Sequence, residues 1–126
     1  MVSGAETLWN GPEGEAQLLL AARNVSAMAQ NFRRAGFEIT IADFVTDSSL
    51  DVYRQGLPDC FVVHLRISIA GAQERARTRR VYLTDDEFDL LHRMVASPPD
   101  VDLVVDVEGL TPDQQLRQIR DAWTAA

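Results

Sequence analysis

The chain has 126 residues, 46% hydrophobic and 25% charged, with a net charge of −7. That length carries one domain with a real core. The acidic balance argues against a nucleic-acid or membrane-surface binder, because phosphate contacts need clustered cations. The lone Cys60 excludes an intramolecular disulfide framework and fits a reducing compartment.

Met1–Gly14 is polar and rich in breakers, with Asn10-Gly11-Pro12 and Gly14. It reads as an irregular lead-in with a short helical piece near Ala5–Trp9. It lacks signal-peptide character, and no apolar run approaches a membrane span, so the expected location is cytoplasmic. From Glu13 to Ala35 the pattern is helical. Leu18, Ala21, Ala22, Val25, Met28, Ala29 and Phe32 recur at three and four residues. Glu13 and Glu15 suit the positive end of that helix, Arg33 and Arg34 the negative end. Gly36 is placed to terminate it.

Phe37-Glu38-Ile39-Thr40-Ile41-Ala42-Asp43-Phe44-Val45 reads as a buried strand, rich in β-formers. Thr46–Ser49 is a loop of capping residues, and a short helix is expected over Ser49–Gln55. Gly56–Asp59 breaks it. Cys60–Ile67 is the next expected strand, with His64 as a structural imidazole inside it. Cys60 opens that run as a buried, unreactive thiol. Ser68 is a cap for a helix through Ala76. Thr84 with Glu87 makes a capping-box pattern for a helix bearing Phe88, Leu91, Met94 and Val95. Asp85 and Asp86 complement its dipole, and His92 reads as surface-exposed. Asp102–Asp106 is a third strand. Thr111-Pro112 starts a closing amphipathic helix.

Three strands alternating with about five helices indicate a single α/β domain with a parallel sheet and right-handed crossovers. Asp43, near the C-terminal end of its strand, lies where open α/β sheets place ligands.

Trp9–Glu15, the helix through Ala21–Asn24, and Ala35–Val45 resemble a P-loop phosphotransferase family akin to chloramphenicol phosphotransferase and other small kinase-like proteins, labelled AAA-family ATPases. The likeness runs from about Val2 to Trp123. The order of elements carries it: Cys60–Ile67 leads into an Arg-bearing helix and lid, and Leu103–Asp106 into Gly109-Leu110-Thr111-Pro112. The resemblance implies ATP and magnesium as cofactors and a small-molecule phosphoryl acceptor as partner.

It also implies roles. Asp43 matches an acidic position that holds magnesium; its competing reading is a loop cap. Arg75, Arg77, Arg79 and Arg80 match the lid that closes on the transferred phosphoryl group. Their competing reading is a solvated helix face. Arg75 and Arg79, four apart, are the better catalytic pair. Asp106, Gly109 and Thr111 match the loop beside the nucleotide base. Arg23 and Asn24, mid-helix, are either substrate contacts or a buried polar bridge.

The family's defining motif is absent. No glycine–lysine pair occurs, and Gly11-Pro12-Glu13-Gly14 is acidic. The expectation is an incomplete P-loop kinase-like sheet whose first two strands are missing. Such a chain is the C-terminal portion of an ATP-dependent phosphotransferase, inactive as written and binding no cofactor alone. The alternative is a non-catalytic partner-binding module. The family's sheet order puts the missing first strand between Phe37–Val45 and Cys60–Ile67. Exposed edges there would favour self-association.

Overall fold

A computed structural model describes residues 11–80, 82–97 and 99–126. The expected helical piece at Ala5–Trp9 lies outside the described residues. The observed elements are α1 Gly11–Arg34, α2 Asp47–Gly56, β1 Val63–Arg66, α3 Ile69–Ala76, α4 Asp85–Val95, β2 Leu103–Asp106 and α5 Pro112–Ala125. They are distributed over two compact units, one ending at Cys60 and the other beginning at Phe61.

The first unit is a helix pair. α1 packs on α2 through Ala22, Ala29, Tyr53 and Leu57, with Val25, Val45, Val52 and Cys60 against them. The crossing uses small residues, so the backbones approach closely. A Cβ on Gly56 would stand 2.9 Å from the Ser26 Cβ. Gln30 Nε2 donates to the Gly56 carbonyl at 2.6 Å across the same crossing. Ser26 is buried, and its Oγ has no hydrogen-bond partner among the described residues.

Gly36 ends α1 as its position implies. It takes φ +92°, the left-handed value that a side chain disfavours. Its N–H reaches the Arg33 carbonyl and the Phe37 N–H reaches that of Phe32. These are the two bonds of a Schellman close. The apolar contact that accompanies this motif is present too: the Phe32 and Phe37 rings meet edge to face at 6.0 Å.

The expected strand at Phe37–Val45 is not formed. Residues 37–45 have neither helix nor ladder, and Phe37, Ile39 and Ile41 are exposed rather than buried. A strand is made by its neighbour. Propensity alone, however strong, leaves a single chain segment without cross-strand hydrogen bonds. The three-strand sheet expected from sequence is therefore a two-strand sheet among the described residues.

That sheet organises the second unit. β1 and β2 run parallel, with Val63, His64, Leu65 and Arg66 opposite Leu103, Val104, Val105 and Asp106. α3 and α4 lie between the two strands in sequence, as a parallel connection requires. β1 is shorter than the expected Cys60–Ile67 because its ladder extends only as far as β2 opposes it. Val105 is fully buried and Val107 nearly so. Three helix starts follow the sequence closely, whereas α1 begins at Gly11, inside the expected irregular lead-in, and α2 at Asp47 rather than Ser49, because Thr46 is its cap. Thr84 and Thr111 form capping boxes with Glu87 and Gln114, Ser68 caps α3, and Pro112 opens α5.

Candidate functional site

The polar residues worth testing gather at the C-terminal ends of β1 and β2. Parallel register places Arg66 directly opposite Asp106. Their side chains close a two-pronged ion pair, Nε to Oδ1 at 2.6 Å and Nη2 to Oδ2 at 2.7 Å. This pairing holds the Asp106 carboxyl below its usual range and raises the Arg66 guanidinium. One residue past β2 the pairing continues, the Val107 N–H donating to the Arg66 carbonyl at the end of β1.

Beyond the strands, Glu108 caps the start of α3. Its carboxylate accepts from the Ser68 N–H, and the Ser68 hydroxyl first and that N–H second hold its carboxyl below the usual value. Gly71 leaves room for it: a Cβ there would lie 3.1 Å from the Glu108 carboxyl and 2.9 Å from Ile67. A carboxylate thus occupies the anion-attracting end of the helix. Arg75, on α3, donates from Nη2 to the Val107 carbonyl at 3.4 Å. His92, on α4, reaches the Ile67 carbonyl at 3.0 Å. A carbonyl only accepts, so Nε2 carries the proton. His92 is half-buried, not the surface residue expected from its spacing.

The expected catalytic pair is split by the end of a helix. α3 stops at Ala76, so Arg79 lies past the cap and the two arginines do not share a helix face. Arg79 is exposed. Arg80 lies over the Tyr82 ring at 5.1 Å. Gly109 occupies a turn, φ +75°, in which the Leu110 N–H reaches the Val107 carbonyl. That backbone explains a glycine there without reference to a ligand. Thr111 spends its hydroxyl on the Gln114 N–H at the start of α5. Asp106, Gly109, Thr111 and Arg75 are thus gathered around one strand end.

Asp43 belongs to the first unit. Oδ2 accepts from the Tyr53 hydroxyl at 2.5 Å and Oδ1 from the Phe44 N–H at 2.8 Å. Burial first, and the bond to Asp43 second, push the Tyr53 hydroxyl well above its usual value. The contacts are those of the loop-capping reading. For magnesium, this is one carboxylate with both oxygens already accepting hydrogen bonds. Magnesium takes carboxylates together with substrate phosphates and water. No group of three His, Cys, Asp or Glu side chains suited to a metal occurs among the described residues. Arg23 and Asn24 are exposed on α1, so neither forms a buried bridge.

Sequence reading missed Arg66, Glu108 and Tyr53. Arg66 and Tyr53 lack a local motif; each gains its role from a partner distant in sequence. The only available signal was register: aligning Val63–Arg66 with Leu103–Asp106 brings Arg66 to Asp106. Among the described residues no helix is long and apolar enough to cross a membrane. No family model, no curated protein and no solved structure matches the chain.

Proposed function

We propose that this chain is the arginine-bearing part of an ATP-dependent small-molecule phosphotransferase fold and that, as written, it neither binds magnesium-ATP usefully nor transfers phosphate. The observation that supports this reading is Arg75. It stands on the helix following β1 and reaches the carbonyl just past β2, at the C-terminal ends of a parallel pair. That is where α/β folds take ligands, and a guanidinium there suits a phosphoryl group. The inactivity follows from composition. All 12 basic residues are arginines, so the lysine of a phosphate cradle is absent. When bound, ATP with magnesium would supply the transferable phosphoryl group. This chain's part would be to close positive charge on it through Arg75, with Arg79 from the adjoining turn. A third parallel strand at Phe37–Val45 belongs to the same proposal and would need a neighbouring strand.

Calorimetric titration with magnesium-ATP is the test. The expected result is no saturable heat for this chain. Binding should return in an extended form carrying a strand and a glycine-rich loop with its lysine. In that form Arg75→Ala should lower turnover more than nucleotide affinity, because closing charge acts mainly in the transition state. Micromolar binding by the present chain would overturn the proposal.

A second reading, a partner-binding module without catalysis, is favoured by the engagement of the named acidic side chains. Asp43, Asp106 and Glu108 each satisfy a neighbour within the fold.

A further inference from the structure

Residues 37–41, Phe-Glu-Ile-Thr-Ile, alternate apolar and polar side chains with the period of a strand. Phe37 is 61% exposed, Ile39 37% and Ile41 36%. Among the described residues, the backbone N–H and C=O groups of 38–42 make no hydrogen bond. The apolar surface continues onto α1, where Phe32 meets the Phe37 ring and Met28, one turn earlier, is also exposed. An open run of backbone donors and acceptors beside apolar β-branched side chains takes an added strand.

The pattern selects the strand. Antiparallel pairing of two copies with Ile39 opposite Ile39 sets Phe37 against Ile41 twice and Glu38 against Thr40 twice. Each apolar side chain then meets an apolar one, including two aromatic–β-branched pairs, and no charge faces a like charge. Three competing two-fold arrangements each place a carboxylate unfavourably. Parallel in-register pairing stacks Glu38 on Glu38. An antiparallel slip that centres Thr40 sets Phe37 against Asp43, and one that centres Ile41 sets Ile39 against Asp43. In a chain of net charge −7 this short palindromic stretch is complementary to itself.

We infer that Phe37–Ile41 is a self-association surface, through which two copies of this chain pair antiparallel about Ile39. The inference is independent of the phosphotransferase reading. The interface is small, below about 1,200 Å² in total, so the dimer is weak and forms between roughly 10 µM and 1 mM.

Sedimentation velocity of the full chain across that range is the first arm. The mean mass should rise from the 14.0 kDa of one chain towards twice that value. Ile39→Lys should stay monomeric throughout with an unchanged circular dichroism spectrum, since residue 39 is exposed. The second arm is oxidative cross-linking in a Cys60→Ala background. Directly opposed residues in antiparallel strands stand within disulfide reach. Ile39→Cys should therefore cross-link at least about tenfold faster than Thr40→Cys, whose side chain points to the other face. Three results would overturn the inference: a monomer at every concentration, a dimer indifferent to Ile39→Lys, or equal cross-linking at 39 and 40. Protection of amides 38–42 at the lowest concentration would do the same, since cover would then come from within one chain.

Discussion

Residues 37–42 and residues 63–66 are both short, β-branched and apolar at alternate or successive positions, yet they end in different states. β1 has β2 beside it, and its backbone groups are tied into a ladder from the Val62 carbonyl to the Val107 N–H. The earlier stretch has the stronger alternation and no ladder. Its flanks are well ordered: a Schellman close at Gly36 on one side and Val45 packed on the helix pair at the other. The contrast teaches that a strand signal in sequence reports what a segment can do when a neighbour is supplied. It does not report whether the neighbour exists.

The contrast can be broken most forcefully at Val105. This residue is fully buried in β2. Val105→Asp would place an unpaired charge there, at a cost above about 4 kcal/mol. The expected outcome is loss of the ladder, with amides 64–66 exchanging as freely as 38–42. Retained protection would show that β1 is held by something other than β2.

A smaller effect is expected at Gly36. A Cβ there meets open space, so the penalty of Gly36→Ala comes from φ +92° alone. About 1–2 kcal/mol is expected, read as a lower thermal midpoint for the helix pair. An unchanged midpoint would mean that the Schellman close does not direct the chain into 37–42.

The smallest effect is on acidification. Burial, and then Arg66, hold the His64 imidazole below its ordinary 6.5. A base with a depressed folded-state value binds its proton more readily when unfolded. The ladder's stability is therefore complete above pH 6.5 and declines as pH falls towards the lowered value. His64→Gln should remove that slope in exchange of amides 64–66. Further down, Asp106 and Glu108, both depressed, add stability that is present above their ordinary 3.8 and 4.5 and is lost as pH falls through their lowered values. A ladder more stable at pH 5 than at pH 7 would contradict the His64 assignment.

Most helix boundaries were legible because their determinants are local; the starts of α1 and α2 each lie two residues before the expected ones. Thr46, Ser68, Thr84 and Thr111 each accept from the N–H three residues on, and Gly36 acts through its own φ. The β1–β2 pair was legible as two apolar runs separated by helices. The fate of 37–45 was not, since it turns on a partner that no local pattern encodes. The strand-end cluster was half visible. Asp106, Gly109, Thr111 and Arg75 are marked in the sequence, though Gly109 and Thr111 have turn and cap roles in the structure. Arg66 and Glu108 were hidden because each meets its partner 40 residues away. Arg79 was misjudged with respect to Arg75 because four-residue spacing matters only while the helix continues, and α3 ends at Ala76.

Amide hydrogen exchange on the dilute chain, followed residue by residue, tests most directly the claim that pairing separates these two stretches. At a few micromolar, below the range expected for self-association, amides 38–42 should exchange near unprotected rates. Amides 64–66 and 104–106 should be slowed by several orders of magnitude where they donate within the ladder. Equal protection of the two stretches, in either direction, would contradict the account.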